Sequence, residues 1–150
     1  MEATDLTLRK TITVARPPEV AFRVFTEGLT SWWPARTHSV GHERVDTIVL
    51  EGHVGGRFYE RLDDGTEHEW GEITTWDPPG RLGMTWHAGR GPETAQQLEI
   101  RFVAEGDGTR VELEQTGWEV LGDEAEATRA NYASGWTGVL GQYADAVDAD

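Results

Sequence analysis

The alternation of apolar and polar residues changes twice along the chain. Residues 6–14 place apolar side chains at every second position, which predicts a half-buried strand. Two prolines within residues 16–19 then end the strand and begin a helix, because proline is tolerated in the first helical turn. This helix ends near Gly28, and a second short turn over residues 29–33 precedes a polar loop. The chain therefore begins with one strand and two short helices.

From residue 44 onward, short alternating segments are separated by glycine, proline and aspartate. Residues 63–66, Asp-Asp-Gly-Thr, are a strong hairpin signal. Strands are predicted at residues 45–51, 57–62, 67–76, 81–87, 96–104 and 109–118. Because consecutive strands joined by tight turns usually pair with each other, the pattern predicts an antiparallel meander.

The last stretch, residues 122–147, has the periodicity of a helix with one buried face. Its large apolar residues, which fall on one stripe of a helical wheel, are Tyr132, Trp136, Val139, Leu140, Tyr143 and Val147. Gly135 flanks this stripe and leaves space for a close neighbour or a ligand. Acidic residues at the carboxyl end oppose the helix dipole, so we expect the last turn to fray.

An antiparallel sheet with one amphipathic helix across it is an α+β arrangement. A twisted sheet of six or seven strands curls around such a helix and leaves a wedge-shaped cavity between them. The 150 residues show no linker or internal repeat, so we expect a single domain over residues 1–150 with its core at about 6–147.

Composition narrows the possible functions. The net charge of −14 disfavours binding to nucleic acid or to an anionic membrane surface. No apolar run approaches the length of a membrane span, and the first five residues lack the basic start of a signal peptide, so we expect a cytoplasmic protein. The absence of cysteine excludes disulfides and thiol chemistry. Seven tryptophans can build a core or line a cavity for a flat ligand.

Several motifs resemble the START/Bet v1-like (SRPBCC) superfamily, in particular the branch named after the C-terminal domain of the activator of Hsp90 ATPase. They are Gly55–Glu60, Asp64-Gly65, Gly71–Leu82, Thr85-Trp86 and Gly135-Trp136. The resemblance implies a helix-grip fold, in which the sheet wraps the C-terminal helix around a hydrophobic pocket. It does not imply one activity, because the superfamily includes lipid carriers, hormone receptors and polyketide cyclases.

Candidate pocket residues follow from strand parity and from the helical stripe. Trp32 and Trp33 lie where this fold has its pocket mouth, and they form either a ligand wall or a plug beneath a loop. Two adjacent tryptophans cannot both point inward from a regular helix. Glu72 shares its parity with Trp70, so it is either a carboxylate facing the cavity or one held at an edge or turn. The remaining candidates are Phe58, Met84, Trp86, Phe102, Tyr132, Trp136 and Leu140.

The histidines give no strong catalytic or metal signal. His38 and His42 are four residues apart, but they lie in a predicted loop without a third ligand in motif range, so no metal site is expected. His87 ends the strand that holds Trp86, so it either reaches the pocket rim or, as we expect, is an exposed residue at the strand end. No nucleophile elbow is present. We assign no catalytic residue and no cofactor.

Three functions remain open at this point. The first is a non-catalytic domain that holds a small apolar or aromatic ligand between sheet and helix. The second is an enzyme of the polyketide cyclase or dehydratase type, which needs a titratable group in the cavity. The third is a chaperone-linked module that contacts a protein partner through an exposed apolar patch. The expected state is a monomer or a weak homodimer paired through an edge strand at residues 6–14 or 45–51.

Overall fold

A computed structural model describes residues 6–150, and the first five residues, on which the expectation about a signal peptide rests, lie outside the described residues. Seven strands and three α-helices follow one another, with short 3₁₀ turns between some of them. They are β1 (Leu8–Val14), α1 (Pro18–Glu27), α2 (Leu29–Trp32), β2 (Val45–Leu50), β3 (Arg57–Leu62), β4 (Glu67–Asp77), β5 (Arg81–Trp86), β6 (Gln96–Glu105), β7 (Gly108–Thr116) and α3 (Ala125–Ala149).

The strands form one antiparallel sheet in the order β1-β7-β6-β5-β4-β3-β2. The sheet curls around α3 as a half-barrel, which confirms the predicted α+β, helix-grip architecture. Strands β1 and β2 form the two edges, as the order of elements predicted. The long crossover from β1 to β2 carries α1, α2 and the polar loop, and α1 packs against α3 and strands β2, β6 and β7.

The buried face of α3 packs on this sheet and on α1. Trp136, Val139, Leu140, Tyr143 and Val147 are all buried. The Tyr143 hydroxyl donates a 2.6 Å hydrogen bond to the carbonyl of Ala21 in α1. This bond replaces a water partner for a buried hydroxyl and fixes α1 against α3.

The carboxyl end of α3 is helical to its last turn, where fraying was expected from the sequence. The helix continues to Ala149. The Asp148 carboxylate accepts a 3.0 Å hydrogen bond from the backbone N–H of Ala15, and Asp150 pairs with Arg23 at 2.8 Å. These partners, one on the β1–α1 connection and one in α1, compensate for the unfavourable position of acidic residues at a helix carboxyl end.

Both adjacent tryptophans are buried because the helix ends between them. Trp32 is the last residue of α2, whereas Trp33 has an extended backbone with ψ near 129°. Trp32 therefore packs against Phe25 and Tyr143 in the core, and Trp33 turns toward Trp70 and Trp136. In a regular helix only one of two adjacent residues could point inward. This restriction does not reach Trp33, because α2 ends at Trp32.

Strand β4 departs from simple alternation. The register with β3 shifts between Phe58 and Tyr59, which leaves Trp70 and Gly71 opposite one residue as a β-bulge. A side chain on Gly71 would begin 1.8 Å from the carbonyl oxygen of Thr85, so the bulge requires glycine there. After the bulge, Ile73 points inward and Glu72 points outward.

Candidate functional site

A cavity of about 390 Å³ opens between the loop after α2, the end of β5 and the amino-terminal half of α3. Its volume lies within the range of roughly 300–1,000 Å³ that is typical of small-molecule sites. The residues that line it are Trp33, Thr37, His38, Ser39, Val40, His42, Trp86, Ala88, Gly89, Asn131, Tyr132, Gly135, Trp136 and Val139. None of these residues is acidic, although the chain as a whole carries a net charge of −14.

Three indole rings form the inner wall of the cavity. The ring centroid of Trp86 lies 5.5 Å from that of Trp136 and 6.2 Å from that of Trp33. Behind this wall, Trp70 and Phe58 stack at 5.2 Å and fill the space beneath it. Some tryptophans therefore fill the core and others face the cavity, so both roles that the composition allowed are present.

The hydroxyl of Tyr132 supplies a hydrogen-bond donor at this wall. It accepts a 3.0 Å hydrogen bond from the indole N–H of Trp86, and among residues 6–150 no group accepts its own proton. Burial raises the pKa of Tyr132 above its ordinary value, since desolvation disfavours the phenolate. The group therefore remains a neutral O–H that can donate toward a ligand.

Two histidines form the outer rim, and each has one ring nitrogen occupied. Nδ1 of His42 lies 3.1 Å from the carbonyl oxygen of Arg36, so it donates and leaves Nε2 as an acceptor. Nδ1 of His38 lies 2.7 Å from the Thr37 hydroxyl, which itself donates to the Pro34 carbonyl. His38 Nε2 is then also an acceptor, and it lies 3.6 Å from the point where a side chain on Gly135 would begin.

A buried carboxylate, Glu60 on β3, holds this rim in place. It is fully buried, and its two oxygens accept hydrogen bonds from the backbone N–H groups of Val40 and Gly41. Sequence reasoning missed this residue. The available signal was its parity, since Glu60 alternates with two inward apolar residues, Phe58 and Leu62.

The structure places the predicted pocket residues in three groups. Trp33, Trp86, Tyr132 and Trp136 line the cavity. Six others lie in the core outside its lining, namely Trp32, Phe58, Trp70, Met84, Phe102 and Leu140. Glu72 is exposed on the outer face of β4, so the interpretation that it faces the cavity is wrong. The parity argument failed because the bulge at Trp70 and Gly71 inverts the alternation.

The expected exposure of His87 is also wrong. Its side chain is buried, its Nδ1 lies 3.1 Å from the carbonyl of Arg90, and its Nε2 lies 3.3 Å from the Glu69 carboxylate. His87 thereby anchors the turn that carries Ala88 and Gly89 to the cavity rim. Lining residues that were not among the pocket candidates predicted from the sequence are Thr37, Ser39, Val40, Ala88, Gly89, Asn131 and Val139, although Val139 was placed on the buried stripe of the helix.

Further grooves lie on the surface outside this cavity. A second groove of about 570 Å³ lies beside α1 and is lined by Phe22, Trp76, Pro78 and Pro79 among others. Within residues 6–150, the large apolar side chains that are strongly exposed are Val54 and Val120, and no cluster of three potential metal ligands occurs. No helix in the described part of the chain is long and apolar enough to cross a membrane.

Comparison with known proteins identifies a matching protein family. The family described as "Activator of Hsp90 ATPase homolog 1-like protein" matches residues 15–148. A search of curated proteins finds no significant match.

Solved structures of similar proteins cover nearly the whole chain. An anthrahydroquino-γ-pyrone synthase, Txn09, shares 34% sequence identity at a TM-score of 0.63, covering 93% of this chain and 96% of its own. The self-sacrificing resistance protein CalC from Micromonospora echinospora shares 29% identity at 0.72, with coverage of 96% and 95%. The Aha1 dimer from Colwellia psychrerythraea shares 17% identity at 0.70, with coverage of 95% and 96%, which supports the fold alone.

Proposed function

The chain belongs to the family of activator of Hsp90 ATPase homolog 1-like proteins, and on that premise we propose that it binds a flat aromatic molecule bearing hydroxyl and carbonyl groups. The observation that carries the proposal is the cavity itself, in which Trp33, Trp86 and Trp136 present ring surfaces beneath a polar rim. Aromatic rings gain contact area and favourable stacked or edge-to-face geometry from such walls.

The polar groups at the rim define the complementary ligand chemistry. Tyr132 offers one O–H donor, which suits a carbonyl oxygen of the ligand. His38 and His42 each offer an Nε2 acceptor, which suits a phenolic hydroxyl. The carboxylate of a fatty acid could accept the bond from Tyr132, but it has no donor for His38 and His42, and its chain offers no ring to the indole walls. The site therefore favours a hydroxylated aromatic over a fatty acid.

A second candidate function is catalysis of the cyclase or dehydratase type. An all-apolar cavity would have contradicted it, but two histidines and a tyrosine line this one. The 34% identity to a protein named as an anthrahydroquino-γ-pyrone synthase favours the same possibility. In that case the histidines would move protons during ring closure. His42→Gln retains a hydrogen-bond acceptor for the ligand but cannot accept and return a proton. It would then abolish turnover of a ring-forming polyketone, followed by mass spectrometry as the loss of water, while ligand binding persists.

The chaperone-linked alternative has weaker support. It requires an exposed apolar patch of several hundred Å², whereas Val54 and Val120 are the strongly exposed large apolar residues of the described chain. We therefore place the ligand-binding function first.

Titration calorimetry with 1,8-dihydroxyanthraquinone tests the proposal, with decanoate as the aliphatic comparison. We expect saturable binding of the anthraquinone with a dissociation constant below about 10 μM and no saturable binding of decanoate. Trp86→Phe should weaken binding about tenfold, because it reduces the ring surface and removes the bond to Tyr132. Trp76→Phe is the matched control, since Trp76 lies in the other groove. Equal effects of the two substitutions, or absence of binding, would contradict the proposal.

A further inference from the structure

The Glu60 carboxylate lies at the junction between the cavity's wall and its rim. Oε1 accepts hydrogen bonds of 2.8 Å from the indole N–H of Trp70 and from the backbone N–H of Val40. Oε2 accepts a bond of 2.7 Å from the N–H of Gly41 and lies 3.0 Å from Nδ1 of His68. A fully buried carboxylate is costly unless its oxygens are satisfied, and here each oxygen has two partners.

These partners come from different parts of the site. Trp70 lies on β4, where its ring packs against Trp33 and Trp86 of the cavity wall. Val40 and Gly41 belong to the loop that follows α2. Within residues 6–150, the hydrogen bonds that join residues 34–42 to the sheet are the two that end on Glu60.

The remaining hydrogen bonds of the loop are local. Trp33 Nε1 donates to the carbonyl of His38 at 2.7 Å, and the backbone N–H of His42 donates to the Ser39 hydroxyl at 2.8 Å. The Ser39 bond folds the loop on itself, whereas the Trp33 bond ties His38 to the cavity wall, and just after the loop the Arg44 carbonyl accepts a 2.9 Å bond from the N–H of Asp63. Between these two anchors, the bonds from Val40 and Gly41 to Glu60 fix the distance between the loop and β3. That distance decides whether His38, Val40 and His42 face Trp86 and Trp136 across the cavity.

Gly41 fits this arrangement because it approaches the sheet closely. A side chain there would begin 2.1 Å from Cδ2 of Leu62 and 2.9 Å from Oε2 of Glu60. Leu62 is itself buried, so an added methyl group displaces the loop from the sheet. The loop thus approaches β3 closely at Gly41, and the Glu60 carboxylate binds the backbone of the loop at the same point.

We propose that Glu60 is the positioning residue of the binding site: by holding Val40 and Gly41 it sets the loop that carries His38 and His42, although its buried carboxylate is not among the groups that line the cavity. The inference rests on the proposed function for its consequence, which is that affinity for an aromatic ligand depends on Glu60. Control of the loop by Glu60 does not depend on which ligand the cavity binds.

Glu60→Gln is the direct test. The amide keeps the size of the side chain but replaces one acceptor oxygen with an NH₂ group, which faces N–H donors and leaves at least one of them unpaired. We expect trypsin to cleave after Arg36, an exposed residue of the loop, about tenfold faster under native conditions, the effect of losing one buried hydrogen bond. Cleavage after Arg90, on the opposite rim, should stay unchanged.

A spectroscopic readout separates positioning from general destabilisation. In ¹⁵N spectra of the histidine side chains, the His38 and His42 signals should shift in Glu60→Gln. The His53 signal should not move, because His53 lies in the distant β2–β3 loop. Gly41→Ala should give the same pattern from the loop side. His68→Ala is the matched control, since it removes a partner of Glu60 that belongs to β4 and has no bond to the loop.

The ligand measurement completes the test. The affinity for 1,8-dihydroxyanthraquinone should fall about tenfold in Glu60→Gln and in Gly41→Ala, but not in His68→Ala. If the wild-type protein binds no planar aromatic, the proposed function fails, and the proteolysis and histidine signals still decide the role of Glu60. Unchanged cleavage at Arg36, or equal acceleration at Arg36 and Arg90, would overturn that role. Should Glu60→Gln not fold, Gly41→Ala decides by the same criteria.

Discussion

The indole N–H of Trp86 donates a 3.0 Å hydrogen bond to the hydroxyl oxygen of Tyr132, which joins the end of β5 to α3 at the wall of the cavity. The two rings meet nearly at right angles, with centroids 6.4 Å apart. The bond satisfies a buried indole and at the same time orients the tyrosine, so that its proton is available to a ligand.

Tyr132→Phe tests this relationship. The substitution removes the donor to the ligand and leaves the Trp86 N–H, on a side chain only 3% exposed, without its partner. We expect a loss of about 1 kcal/mol in the free energy of unfolding and a roughly tenfold rise in the dissociation constant of 1,8-dihydroxyanthraquinone. Urea denaturation and calorimetry measure the two quantities. An affinity equal to that of the wild type would show that Tyr132 has no contact with the ligand.

Two glycines of α3 should respond differently to alanine. Gly135 lines the cavity, and a methyl group there would lie 3.5 Å from His38, whereas a methyl group at Gly141 meets no atom within 4 Å. Both substitutions should stabilise the helix by roughly 0.5–1 kcal/mol, since alanine has the higher helix propensity. Only Gly135→Ala should weaken ligand binding, by up to about tenfold. Thermal denaturation and calorimetry on both variants provide the comparison, and equal affinities would count against this position for the ligand.

The buried Tyr143 makes stability depend on alkaline pH. Burial raises the pKa of Tyr143 well above its ordinary value of 10.0, so the folded state retains a proton that the unfolded state releases. Its contribution to stability is therefore complete below about pH 10 and declines as the pH rises further toward the folded-state pKa. Urea denaturation between about pH 9 and pH 11 should show this decline, and it should be smaller in Tyr143→Phe. An identical slope in the two proteins would refute the assignment.

Near the end of α3, the Asp148 side chain accepts a hydrogen bond from the backbone of a distant part of the chain. Asp148→Ala removes the acceptor for the N–H of Ala15, which lies just after β1. We expect a loss of about 0.5–1 kcal/mol in unfolding free energy, because the bond is exposed to solvent. Amide exchange at Ala15 should accelerate. Asp145→Ala, an exposed carboxylate one turn earlier, is the control and should leave that amide unaffected.

Most of the strands and helices could be predicted from the pattern of apolar and polar residues alone. The alternation in β1, β6 and β7 and the turn at Asp63–Thr66 are local signals, and β6 pairs with its sequence neighbours β5 and β7 as the meander predicted. The pairing of β1 with β7 joins distant parts of the chain and had no local signal. The helical stripe from Trp136 to Val147, also a local signal, identified the buried face of α3. Such signals survive folding because the burial of one face repeats at the period of the element.

The site could be predicted less well from the sequence, because its geometry depends on departures from the regular strand and helix periods. A bulge at Trp70 and Gly71 turned Glu72 outward, and the early end of α2 allowed Trp32 and Trp33 to face different parts of the interior. No local pattern encodes the bulge, which is set by the close approach of Gly71 to β5. The end of α2 has a local signal in Pro34, because the residue before a proline favours extended backbone, but the directions of the two indoles depend on their packing partners.

The sequence by itself determined the strands, the amphipathic helix and the aromatic content from which a cavity is built. Only the tertiary structure decided that a loop of no regular period lies over that cavity and that Glu60, 19 residues from Gly41 in sequence, holds it there. Periodicity reports which face of an element is buried, whereas the partner of a buried polar group is chosen by the three-dimensional packing that brings distant residues within hydrogen-bonding distance.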